Sequence, residues 1–199
     1  MHNEVYRRFD QICALRKANG AVLEIGAMPA PTTLLTLPSL RGASEKIGIN
    51  LEGASDFGEI RILQGNANEM DFPDERFDTV LCNATLEHDK FFWKTISEIR
   101  RVTRRGGLMV LGAPGYGRGS GEKWAKRVTR NIPLIGGILS RKYHHLFAST
   151  LTFHVHNFPG DYYRFSVQAF HEVFFAGMKD VEVFEILTPP RIIGAATKP

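Results

Sequence analysis

A chain of 199 residues with 43% hydrophobic and 23% charged side chains is long enough to bury one sizeable core and too apolar for global disorder. Its two cysteines, Cys13 and Cys82, give neither a disulfide framework nor a metal-binding spacing, which suits a reducing cytoplasm. The net charge of +4 is mild, no run approaches the ~18–20 apolar residues of a membrane span, and the opening MHNEVYRRFDQ lacks the apolar centre of a signal peptide.

The elements follow in chain order. From Val5 to Lys17, apolar residues at Val5, Phe9, Ile12 and Cys13 keep helical spacing, and Asn19-Gly20 ends that helix. AVLEIG (21–26) is a short apolar run expected to be a buried strand. PTTLLTLPSL (31–40) can hold a short helix limited by Pro38. EKIGINLEG, EIRILQG and RFDTVLCN are three further strands. KFFWKTISEIRRVTR is an amphipathic helix with Phe92, Ile96, Ile99 and Val102–Thr103 on one stripe, Arg104–Arg105 in its last turn and Gly106-Gly107 as its stop. GLMVLGAP is a fifth strand. SVQAFHEVFFAGM is a helix ended near Gly177, and DVEVFEIL and RIIGAAT are two strands whose TPP link is too short for a parallel crossover. Strands alternating with helices imply a doubly wound α/β domain with helices on both faces, so a ligand belongs at the carboxyl ends of the strands.

The loop after the first strand discriminates between ligands. A dinucleotide loop needs glycines, so that backbone N–H groups can cradle a pyrophosphate. Here Met28 and Ala30 stand among Pro29 and Pro31, and each proline removes a donor. NAD, FAD and ATP are therefore disfavoured.

In this order and spacing, VLEIG, KIGIN, QGNANEMDFPDERFDTVLCNATLEH, RRGGLMVLGAP and the terminal hairpin resemble the class I S-adenosylmethionine-dependent methyltransferases, across roughly Ala21 to Lys198. The resemblance implies a single Rossmann-like domain over residues 1–199, with a seven-stranded sheet whose last strand is antiparallel. It also implies S-adenosylmethionine as cofactor. Glu24 would take the cofactor's ammonium group, and Gly26 matches the family's first glycine, while Met28 and Ala30 replace the next two. Asn50 stands where the family usually has the acid that binds both ribose hydroxyls. Leu51 follows it, and Glu52, on the same face if the strand continues, can supply the missing carboxylate. Asn66 and Ala67 fall at the adenine position, Asn83, Ala84 and Thr85 close to the cofactor, and Glu87-His88 at the family's EH position. Bland readings stand beside these: Asn50 and Asn66 also suit plain turns, His88 also suits packing against the next helix, and Asp78 is expected to orient neighbouring loops.

Two further features bear on the acceptor. TFHVHNFPGDYYRFS resembles a segment that related methyltransferases carry before the last helix. His154 and His156 share a face if it is extended, and with His88 they are the candidate bases for a protonated acceptor. Tyr162, Tyr163 and Arg164 are expected to lock the segment onto the sheet. An insertion at about 115–150 carries, from Glu122 to Phe147, six basic residues against one acid, interleaved with Trp124 and an aliphatic run. It reads as a peripheral membrane contact on the inner face of a membrane, a lid over a lipid-linked acceptor, or a solvated excursion. No nucleic-acid module is evident. The expected activity is methyl transfer to a small-molecule, saccharide or lipid-linked acceptor. The alternative is a non-catalytic relative that keeps the fold as a binding module, motivated by the replaced glycines and the two asparagines.

Overall fold

The computed structural model describes residues 2–117, 151–152, 155, 160–187 and 190–199. His154, His156 and the basic stretch 122–147 lie outside the described residues.

Helix α1 (Asn3–Leu15) starts at His2, whose ring accepts from the Glu4 N–H, and buries Val5, Phe9, Ile12 and Cys13. Strand β1 (Ala21–Ile25) is buried along its whole length, which explains its unbroken apolar run: Leu23 and Ile25 face one core layer and Val22 faces the other. The stretch after it is not an α-helix. Two 3-10 turns, Leu34–Thr36 and Pro38–Leu40, take its place, because Pro38 and the short span prevent a longer helix. Then come β2 (Glu45–Asn50), β3 (Ser55–Phe57), β4 (Ile60–Gln64), β5 (Phe77–Asn83), α2 (Phe92–Val102) and β6 (Thr103–Pro114). Strands β7 (Tyr116–Gly117) and β8 (Leu151–Thr152) form a small separate pair. A helical stretch, Val167–Ala169 continuing as a π-turn over Phe170–Phe174, leads to β9 (Lys179–Leu187) and β10 (Pro190–Thr197).

The main sheet has the order β3-β4-β2-β1-β5-β6-β10-β9. Strands β4, β2, β1, β5 and β6 are parallel, while β10 is antiparallel to both β6 and β9. The expected antiparallel last strand is present. The expected count of seven becomes eight, because β3 adds an antiparallel edge to β4 through a short turn containing Gly58.

Helix α2 also ends earlier than its sequence suggests. Thr103 turns extended, and its hydroxyl donates to the Ile99 carbonyl at 2.6 Å. Arg104 and Arg105 therefore lie in β6, and Arg100 and Arg101 occupy the last helical turn. Gly106 and Gly107 sit where the β5–β6 register shifts rather than at a helix stop. Asp78 ties the opposite end of the sheet, accepting from the Ala21 N–H at 2.8 Å and from Arg104 at 2.6 Å, as expected of a residue that orients neighbours. One core layer joins the sheet to α2 and to Phe170, Phe174 and Phe175, and the other joins it to α1 and Leu34–Leu40. Strand order reverses between β1 and β5, so the crevice for a ligand opens at their carboxyl ends.

Candidate cofactor and acceptor site

Four adjacent strand ends form a continuous rim. At the end of β1, Gly26 turns with φ +75°, and a Cβ there would lie 2.1 Å from the Thr85 hydroxyl. Only glycine allows both the dihedral and this approach. The Thr85 hydroxyl in turn donates to the Ile25 carbonyl at 3.2 Å, joining the β1 and β5 loops. Ala84 holds φ 60°, an uncommon value for a residue with a side chain, and its N–H reaches the Gly112 carbonyl at 3.0 Å. Asn83, at the end of β5, lies beside Gly112, and its buried side-chain oxygen has no hydrogen-bond partner among the described residues. A buried amide oxygen left this way favours a ligand that donates to it.

The acid of β1 is more enclosed than expected. Glu24 is 4% exposed, with one carboxylate oxygen receiving the Thr33 hydroxyl and the Leu35 N–H, the latter at 3.2 Å. Burial pushes its carboxyl up to about 7, opposed by those hydrogen bonds. Across the rim, the Asn50 side-chain amide donates to the Ala27 carbonyl at 2.8 Å and lies 3.1 Å from the Met28 sulfur, while its oxygen accepts the Glu52 N–H at 3.1 Å. The Gly65 N–H donates to the Asn50 carbonyl at 2.9 Å, tying β4 to β2.

The structure departs from one expectation here. Strand β2 stops at Asn50, so Glu52 sits in an exposed turn and not on a continuing strand face. Asn50 and Asn66 each accept the N–H two residues on, at 3.1 and 3.0 Å, a contact that agrees with the turn reading of both. Leu51 is two-thirds exposed beside this end, Asn66 is exposed, and Ala67 is half-buried against the core.

The turn after β5 is built on charge. His88 closes the single turn Leu86–His88, and its Nδ1 meets the Gly160 carbonyl. A carbonyl only accepts, so Nδ1 carries the proton and Nε2 is the nitrogen able to take one up. Nε2 lies 3.8 Å from the fully buried Glu87 carboxylate, which has Arg191 of β10 at 4.0 Å. The Glu87 carbonyl accepts the Tyr162 N–H at 2.8 Å. Asp161 and Arg164 pair through two hydrogen bonds, one of 2.6 Å. Burial lowers the Arg191 guanidinium from its ordinary value, with Glu87 opposing. Tyr163 donates to the Lys90 carbonyl at 2.9 Å and its ring meets Phe92, 5.0 Å between centroids, locking the segment as expected.

The structure thus gathers Glu24, Gly26, Asn50, Asn83 and Ala84 on one rim, with His88 one turn beyond Ala84. No sequence pattern indicates that Arg191 faces Glu87, because 104 positions separate them, nor that Met28 touches Asn50. The prolines beside Met28 were the one available signal, since they restrict how that loop can leave the strand.

Residues 39–111 match the family described as "Methyltransferase domain". The Bacillus subtilis protein YcgJ, described as an uncharacterized methyltransferase, is 31% identical over 106 residues, covering 48% of this chain and 41% of that one. Its crystal structure superposes with a TM-score of 0.60 at 15% identity over 99% of both chains. Demethylmenaquinone methyltransferase of Geobacillus kaustophilus is 32% identical over 65 residues, 33% of this chain and 28% of the relative. A Burkholderia thailandensis 1,6-didemethyltoxoflavin-N1-methyltransferase, solved with 1,6-didemethyltoxoflavin and S-adenosylhomocysteine, superposes with a TM-score of 0.62 at 16% identity over 97% of this chain and 77% of that one. The match therefore spans less than half the length of these two curated relatives. The methyltransferase-domain match thus covers residues 39–111, and the solved structures share the fold of nearly the whole chain.

Proposed function

We propose that this chain transfers the methyl group of S-adenosylmethionine to a small-molecule acceptor. The observation that carries the reading is the junction of β1 and β5, where the Gly26 turn abuts Thr85 beside the buried, unpartnered oxygen of Asn83. When bound, the cofactor supplies an electrophilic methyl on a sulfonium. Asn83 and Glu24 would hold its amino-acid end, Asn50 the ribose through its oxygen, with Glu52 adjacent, and Leu51, Asn66 and Ala67 the adenine. The residues fit a cofactor without phosphates: the 26–31 loop offers few free backbone donors, as its prolines require. Bound there, the cofactor would give its methyl to the acceptor's nucleophilic atom and leave as the neutral thioether with the bond's electron pair, and His88 Nε2 would take an acceptor proton where one must leave. His154 and His156 stand as alternative bases in the same segment of sequence.

The 1,6-didemethyltoxoflavin bound in the Burkholderia structure supports a small molecule. A saccharide or lipid-linked acceptor, with peripheral membrane contact through 122–147, is the finer reading and rests on the six basic residues of that stretch. A binding module without catalysis is the second reading, favoured by the closed 26–31 loop. Thermal shift and calorimetry with S-adenosylhomocysteine, NAD and buffer test the choice. Stabilisation specific to S-adenosylhomocysteine, about 2.7 kcal/mol at one hundred times its dissociation constant, supports the enzyme reading. No shift at millimolar ligand favours the module.

A further inference from the structure

The loop after β1 uses its hydrogen-bonding groups on the protein itself. The Gly26 and Ala27 N–H groups both donate to the Ile49 carbonyl, at 2.9 and 3.1 Å, and the Ala30 N–H donates to the Met28 carbonyl at 2.8 Å. Pro29 and Pro31 have no N–H. Ala27 is fully buried against Gly48, where a Cβ would come within 2.4 Å of the Ala27 methyl. The loop is thereby folded down onto the end of β2, and Met28 is carried over Asn50.

We propose that Met28 is a latch over the ribose-binding end of β2 and sets the affinity for an adenosyl ligand. This rests on the cofactor reading above. The Asn50 amide nitrogen faces two acceptors, the Ala27 carbonyl and the Met28 sulfur, at 2.8 and 3.1 Å. That contact holds the amide nitrogen toward the loop, with its oxygen on the Glu52 N–H. It also explains why an amide replaces the usual acid: a carboxylate here would set lone pairs against the Ala27 oxygen and the Met28 sulfur. The Met28 side chain is about half exposed, so it can swing away without disturbing the core. A ribose approaching Asn50 displaces the thioether, and the lost contact is subtracted from ligand binding.

The test is calorimetric titration of the whole chain with S-adenosylhomocysteine and, separately, with methylthioadenosine, which keeps the ribose and lacks the amino-acid end. Met28→Ala is expected to bind both ligands roughly three- to tenfold more tightly than the parent, the worth of one modest hydrogen bond. Met28→Leu, which keeps the bulk but not the sulfur acceptor, is expected to gain less than Met28→Ala. With methyl-labelled methionine, the Met28 resonance should shift when either ligand is added. Equal or weaker binding by Met28→Ala, with the parent still binding, overturns the latch and leaves the cofactor reading intact. An absence of binding by every variant to both ligands removes the cofactor reading and the latch with it.

Discussion

The two corners of the rim solve the same problem in opposite ways. At the β1–β2 corner, polar groups are neutral or protonatable and each finds a partner close by: Asn50 with the Ala27 carbonyl, Glu24 with Thr33 and Leu35. At the β5–β10 corner, four buried charges come from three separate segments: Glu87, Asp161 with Arg164, and Arg191. A neutral corner can be retuned one residue at a time, because each lost contact costs a single modest hydrogen bond. A buried charged corner is cooperative, since removing one member leaves the others enclosed in a low-dielectric site.

The largest expected effect tests that cooperativity. Asp161→Ala removes both hydrogen bonds from a guanidinium that is 9% exposed, and is expected to cost about 3–5 kcal/mol in urea denaturation. The pair Asp161→Leu with Arg164→Met should cost less than the sum of the single changes. A loss under about 1 kcal/mol would make this corner behave like a solvated surface pair and erase the contrast.

Next in size is the pH response of Glu24. Its folded-state value is raised to about 7 by burial, whereas the unfolded chain ionises near ~4.3. The folded protein therefore holds a proton that the unfolded chain has released. Stability from this group is fully present below the unfolded value and falls as pH rises through the folded one, by about 4 kcal/mol in all. Glu24→Gln should flatten that slope in melts from pH 4 to 8, leaving the variant the more stable at pH 8. An unchanged slope would show that Glu24 is ionised in its enclosure, and the two corners would then be electrostatically alike.

The smallest effect concerns the hinge between the corners. Gly26→Ala places a side chain at φ +75° and 2.1 Å from the Thr85 hydroxyl, with an expected cost of about 1–3 kcal/mol and loss of S-adenosylhomocysteine binding. Adding Thr85→Ala removes the hydroxyl and should restore part of the stability, leaving only the dihedral strain. A double variant no better than Gly26→Ala alone would assign the whole cost to the dihedral.

Local pattern was enough to read much of this fold. The unbroken run at Ala21–Ile25 requires burial on both faces, and the TPP link requires an antiparallel hairpin. The spacing of Phe92, Ile96 and Ile99 requires a helix against the sheet. Gly26 was legible through the resemblance that sets a glycine after the first strand, and Asp78 as a brace from its place at the start of a strand. Contacts made across long separations were not legible. Nothing near Glu24 says that Thr33 and Leu35 fold over it, and nothing near Asn50 says that an acid there would meet the Ala27 oxygen. Where α2 ends was decided by Thr103 joining β5, at Phe77, against a helical pattern that runs on through Arg105. The partnering of Arg191 with Glu87 needed β10 to pair with β6, which brings the start of the last strand over the turn after β5. Sequence periodicity sets which face of an element is apolar. Which polar groups meet, and so which stay neutral, which stay charged and which remain for a ligand, depends on distances that exist only once the sheet has assembled.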